Sequence, residues 1–187
     1  MLVLPAHRHR RHGSDPEESN VSELGRWLEG LYACNAWVME NMLEASRRLA
    51  PEDLTRDRRG AYGSILTTLA HVVGAHQVWS ARLDGSSPTA LPGTDAMPTL
   101  DDVGVAFRKV SKEYRSRIAR LTPAEAKRIV SYRTTAGTFE EHPVDAILLH
   151  VSLHTSNHLA QVATLLTQAG VEPPRVDYMD WVRAGRP

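Results

Sequence analysis

Apolar residues recur along this chain in steps of three and four, and that spacing predicts four long helices. The first runs through ELGRWLEGLYACNAWVMENMLEASRRL, with Asn20 or Ser22 as its cap, a stripe of Leu24, Leu28, Leu31, Val38, Met42 and Leu43, and Pro51 as its stop. The segment PEDLTRDRRGAYG reads as a connector. Ser64 opens the second helix, SILTTLAHVVGAHQVWSARL, whose stripe is Ile65, Leu66, Leu69, Val72, Val73 and Trp79 and whose end is Asp84-Gly85. Residues Gly85 to Pro98 are rich in Ser, Pro and Gly and predict a long irregular crossing.

Thr99 and Asp102 form a capping-box pattern ahead of the third helix, which buries Val103, Phe107, Val110, Tyr114 and Ile118. Thr122-Pro123 predicts a short helix, and RIVSYRTTAGTFEEHP an extended segment or loop around Gly137. Pro143 falls in the first turn of the fourth long helix, which ends at Gly170, and a tail with one helical turn follows. Four long helices without a strong strand make an all-α four-helix bundle. The long loop between the second and third helices leaves room for a crossover in place of simple up-down order.

The fourth helix breaks the apolar pattern. Its stripe of Ile147, Val151, His154, His158, Val162 and Leu165 carries two histidines where leucines would be ordinary, with His150 on the flank. A buried neutral imidazole needs partners for both nitrogens, since an unpaired buried polar group costs roughly 1–3 kcal/mol. A metal ion meets that need, because an i, i+4 pair on a helix offers two ligands to one ion. No Glu follows the first histidine, so the pattern lacks the general base of a zinc protease. The third ligand has three candidates: His71, in a small and polar stripe of Ser64, Thr67, Thr68, Gly74 and Ala75 that can border a cavity; His76, beside Val72 and Val73; and His142, ahead of Pro143 and expected to be exposed. His150 on the flank, and Asn157 and Gln161, each three residues after one of the pair, are candidates for supporting or substrate contacts.

Bulk properties narrow the partners. The 187 residues suit one domain, and Lys+Arg and Asp+Glu are equal at 22 each, which gives no reason to expect a nucleic-acid partner. Cys34 is the single cysteine, so neither an internal disulfide nor a thiolate cluster is available, as in a reducing cytoplasm. Beside aromatic residues in the first helix it reads as a core filler. No apolar run is long enough for a membrane span, and the start is not a secretory signal. Residues 1–19, with the basic run His7 to His12, are expected to be a disordered tail ahead of the bundle at 20–187. Tyr178 and Trp181 are expected to anchor the C-terminal tail.

The segments GSILTTLAHVVGAHQVWSARLDG, ILLHVSLHTSNHLAQVATLLTQAGVEPPRVDYMDWV and LYACNAWVMENMLEA resemble, in order and separation, the DinB/YfiT-like superfamily of metal-binding four-helix bundles. The resemblance runs from about Leu24 to Trp181. It implies one divalent ion, Zn or Ni, held by His71, His154 and His158, with His150 outside the ligand set. It also implies a homodimer and a metal-dependent enzyme that transfers a low-molecular-weight thiol (mycothiol, bacillithiol or glutathione type) to an electrophile through a metal-bound thiolate. The other readings are a hydrolase using metal-bound water and a non-enzymatic, stress-linked metal-binding helical dimer. Where the family often has His-Arg-Gly-Gln, this chain has His158-Leu159-Ala160-Gln161, so the arginine is missing and the glutamine is kept.

Overall fold

Two of the long helices start where a side chain takes up a free backbone N–H. In the computed structural model, which describes residues 23–60 and 62–186, the elements are α1 (Glu23–Ser46), α2 (Pro51–Thr55), α3 (Ile65–Leu83), α4 (Leu100–Ile118), α5 (Pro123–Lys127), β1 (Ile129–Arg133), β2 (Phe139–Pro143), α6 (Val144–Gln168) and α7 (Tyr178–Arg183). Ser64 caps α3 by accepting from the N–H of Thr67, and Thr99 and Asp102 make the full reciprocal capping box on α4. The expected cap of α1 and the N-terminal tail lie outside the described residues.

Contacts fix the helix directions. Tyr32 Oη donates to the carbonyl of Leu148 at 2.9 Å, and three residues on, Asn35 Nδ2 donates to that of Ser152 at 2.9 Å, so α1 and α6 run parallel. Trp79 reaches His150 while His71 reaches His154, so α3 is antiparallel to α6. Arg108 pairs with Glu40 and Arg47 with Asp101, so α4 is antiparallel to α1. It follows that α3 and α4 point the same way. The chain must therefore return along the full length of α3, about 28 Å, between them. The loop of residues 84–99 makes this crossover. It passes close over Gly74, where an added Cβ would fall inside the van der Waals radius of the Pro92 carbonyl oxygen.

The main core holds Met39, Met42, Leu43, Leu69, Val72, Val73, Leu159 and Val162, and a second cluster under the hairpin holds Tyr32, Tyr114, Val130, Ile147 and Leu148. Trp181, on α7, is buried in the main core and anchors the tail as expected.

Several expectations are corrected. Pro51 does not merely stop α1: it opens α2, because proline is well placed in a helix's first turn. The segment after α5 is a β-hairpin, with Ile129 paired to Pro143 and Arg133 to Phe139, turned at Gly137, whose φ is +87°. Its alternation buries Val130 and Tyr132. Pro143 lies just outside α6, at its N-cap position, and makes no side-chain cap bond. Leu24 is exposed. Two members of the small stripe on α3 are packed against their neighbours. Thr68 is fully buried and donates to the Ser64 carbonyl at 2.7 Å, and Gly74 is the seat of the crossover loop. No helix among the described residues is long and apolar enough to cross a membrane.

Candidate metal centre

Antiparallel packing of α3 on α6 sets His71 against His154 and His158, 83 residues away at the nearer one. The three Nε2 atoms converge. His154 Nε2 is the hub, 3.2 Å from that of His71 and 3.1 Å from that of His158. One nitrogen from each ring lies within 4.8 Å of the other two, so the set can hold a metal ion. His76 and His142 lie elsewhere. His76 is buried, with its Nδ1–H donating to the Val72 carbonyl at 2.8 Å and Thr155 Oγ1 3.4 Å from its Nε2. His142 is exposed on β2, its Nδ1 3.0 Å from the Tyr132 hydroxyl.

The position of the pair on α6 differs from the sequence expectation. Ile147, Val151, Val162 and Leu165 of the predicted stripe are buried, with Leu148, Ser152, Thr155, Leu159 and Leu166 beside them, while His154 and His158 are half-buried at the edge of that face, toward α3. Thr155 and Ser152 tolerate the centre because their polar groups are used there. Thr155 Oγ1 donates to the Val151 carbonyl at 2.8 Å, and Ser152 accepts from Asn35. An edge position suits ligands, which need a solid wall on one side and an approach on the other. Leu159 belongs to the main core, so the side chain that replaces the family's arginine points away from the three nitrogens.

Protonation favours ligation. Loss of solvent, followed by the neighbouring His158, pulls His71 down to about 4; loss of solvent, followed by His158 and His71, pulls His154 down to about 3. Both rings are neutral near pH 7. His158 is oriented by Gln161, whose Oε1 lies 2.7 Å from Nδ1. An Nδ1–H donated there leaves a lone pair on Nε2, facing the other two rings.

This arrangement is a test of fit. With a lone pair on His158 Nε2, a lone pair on His154 Nε2 faces it directly, and a single proton on His154 Nε2 has to be divided between His158 and His71, so neither arrangement gives each short contact its own hydrogen. A cation between the three lone pairs removes the conflict, and three imidazoles leave further coordination positions open. Zn²⁺ and Ni²⁺ both suit such a nitrogen set. Gln161→Leu is expected to weaken divalent-metal affinity about 10- to 100-fold while leaving the fold intact, which titration calorimetry with Zn²⁺ checks.

Tyr62 is a neighbour that the sequence reading placed in a plain connector. Its ring stacks on His71 at a centroid distance of 3.7 Å and 23° between planes, and lies 5.3 Å from His158, although the residue is 47 % exposed. It covers one side of the set. His150 is exposed, 5.8 Å from His154 between ring centroids, and packs edge-on against Trp79 instead of joining the three. Trp79 is half-buried and packs against the second core cluster from its edge. Asn157 is exposed and makes no hydrogen bond to the histidines. Cys34 is buried in the core, and burial pushes its thiol pKa up, so it is not an activated nucleophile.

The buried His76 gives a pH signature separate from the metal. Burial pulls its pKa to about 4, below the roughly 6.5 of an unfolded histidine. The folded state therefore resists protonation, and the stabilisation present above pH 6.5 is lost as pH falls toward 4. The effect is on the order of 3 kcal/mol. His71 and His154 act with the same sign. Urea denaturation of metal-free protein is expected to show falling stability across this window, with a shallower slope in His76→Gln.

Comparison with known proteins agrees with the fold. The sequence profile described as "DinB family" matches residues 21–185. A crystal structure of a DinB-like protein from Bacillus cereus ATCC 10987 superposes with a TM-score of 0.55 at 19% identity, covering 75% of this chain and 91% of that one. A search of curated proteins finds no match. With the profile spanning nearly the whole chain, and the fold shared with a DinB-like protein, this chain belongs to the DinB family.

Proposed function

We propose that this protein is a metal-dependent enzyme that transfers a low-molecular-weight thiol to an electrophile, with His71, His154 and His158 holding the ion. The observation that carries the reading is the convergence of three Nε2 atoms, two pairs of them 3.1–3.2 Å apart, at the edge of the bundle. A divalent ion held there supplies Lewis acidity, which lowers the pKa of a bound thiol enough for the sulfur to act as nucleophile near neutral pH. The chain's own part is to hold His71 and His154 neutral by burial, to fix the His158 tautomer through Gln161 and to shield one side with Tyr62. Cys34 is sealed in the core, so the sulfur nucleophile comes from outside.

With a halomethyl acceptor, the step forms one sulfur–carbon bond and breaks one carbon–halogen bond. The thiol proton passes to solvent and halide leaves. The test is turnover of monochlorobimane by metal-loaded protein with mycothiol, bacillithiol and glutathione in turn. The reading requires catalysed conjugation with at least one of these thiols, reduced at least about 100-fold in His158→Ala. Ester hydrolysis without conjugation would instead favour metal-activated water.

A further inference from the structure

One turn of α6 before His154, a hollow of about 260 Å³ lies between α3, α6 and the hairpin. Its walls are Trp79, Tyr132, Ala146 and Ile147, and Glu140 and His150 stand among its polar groups. Three of these are rings set edge to face. Trp79 meets Tyr132 at 5.2 Å and 75°, and His150 at 5.1 Å and 63°. The rings are held from outside. The Arg82 guanidinium lies 4.4 Å over Trp79 and 4.6 Å over Tyr132 without lining the hollow, and the Tyr132 hydroxyl donates to Glu140 at 2.9 Å. Rings fixed in this way form a preorganised wall.

The size and chemistry of the space restrict its occupant. Complete ligand pockets run to roughly 300–1,000 Å³, so this volume suits part of a molecule: one ring with its substituent. Aromatic walls in edge-to-face array favour a further aromatic ring. Glu140 is the one carboxylate in the lining, with His142 beside it, and the Arg82 guanidinium sits behind the rings and not at the surface of the hollow, so an anionic occupant meets the carboxylate first. His150, which lines the hollow, stands next to the metal centre, its ring 5.8 Å from that of His154.

We infer that this hollow seats an uncharged aromatic ring of the electrophilic co-substrate, beside the three-histidine centre. The assignment rests on the transfer reading for the word electrophile, but the ring-binding itself is tested without turnover. Fluorine NMR of the full-length, metal-loaded chain with 4-fluorobenzyl alcohol should show saturable binding. Ala146→Phe, which places a ring in the hollow from an exposed position on α6, should weaken that binding about tenfold or more, with metal content unchanged. The wild type should bind 4-fluorobenzoate at least about threefold more weakly than the alcohol, and Glu140→Gln should narrow that gap. No binding of the alcohol, unaltered binding in Ala146→Phe, or preference for the benzoate would each overturn the assignment. Intact ring binding without any thiol conjugation would instead overturn the transfer reading and leave the hollow's occupant class standing.

Discussion

His154→Ala protein, purified beside the wild type, is expected to carry less than about a tenth of the wild type's divalent metal. His154 Nε2 is the one nitrogen in contact with both of the others, so its removal leaves two donors on different helices with nothing between them. Loss of a supporting residue alone costs about 10- to 100-fold in metal affinity, and loss of the central ligand costs more. The fold should survive, because His154 is half-buried at the edge of α6 and its neighbours Thr155 and Val151 carry the packing. Metal analysis by mass spectrometry measures the effect, and the thermal midpoint of the metal-free variant separates ligation from folding. Equal metal in both proteins would move the site elsewhere.

The second large effect concerns the fold. Gly74→Ala is expected to destabilise the protein by about 2–3 kcal/mol or more, because the new Cβ overlaps a backbone carbonyl at Pro92 and not the end of a flexible side chain. For a chain of this size, that lowers the thermal midpoint by roughly 4–12 °C. The damage comes through the crossover loop, which must lift off α3 at Leu91 and Pro92. Gly74 lies three residues from His71, so metal affinity should fall along with stability. Gly30→Ala makes the comparison: there the added Cβ meets the Tyr178 hydroxyl at 2.8 Å, at the end of a side chain that can swing, and a smaller loss is expected.

Much of the molecule was legible from residue order. The four long helices, the caps at Ser64 and Thr99 and the long irregular loop between α3 and α4 follow from side chains acting on their own few neighbours, while the crossover that the loop makes comes from contacts between distant helices. The i, i+4 pair His154 and His158 was visible because helical spacing is local. His71 came from a family resemblance, since its stripe alone left His76 and His142 as alternatives. Features that depend on what two distant segments do together were hidden. Tyr62 stacks on His71 only because the loop before α3 folds back over the histidines. Thr155 and Ser152, which lie outside the predicted apolar stripe, are buried on α6 because their hydroxyls find partners there. Their burial turns His154 and His158 to the helix edge. Leu159 looked like a missing arginine in the site, while its burial in the main core shows a packing residue.

The central claim is that His71, His154 and His158 together hold one divalent ion, and X-ray absorption at that metal's edge tests it most directly. On freshly purified, thiol-free wild-type protein, the account predicts three imidazole nitrogens at about 2.0–2.1 Å if the metal is zinc, with the outer-shell scattering of the rings and lighter oxygen donors filling the remaining positions. Fewer than three imidazoles, a sulfur scatterer from Cys34, or a chain that takes up no stoichiometric metal would contradict it.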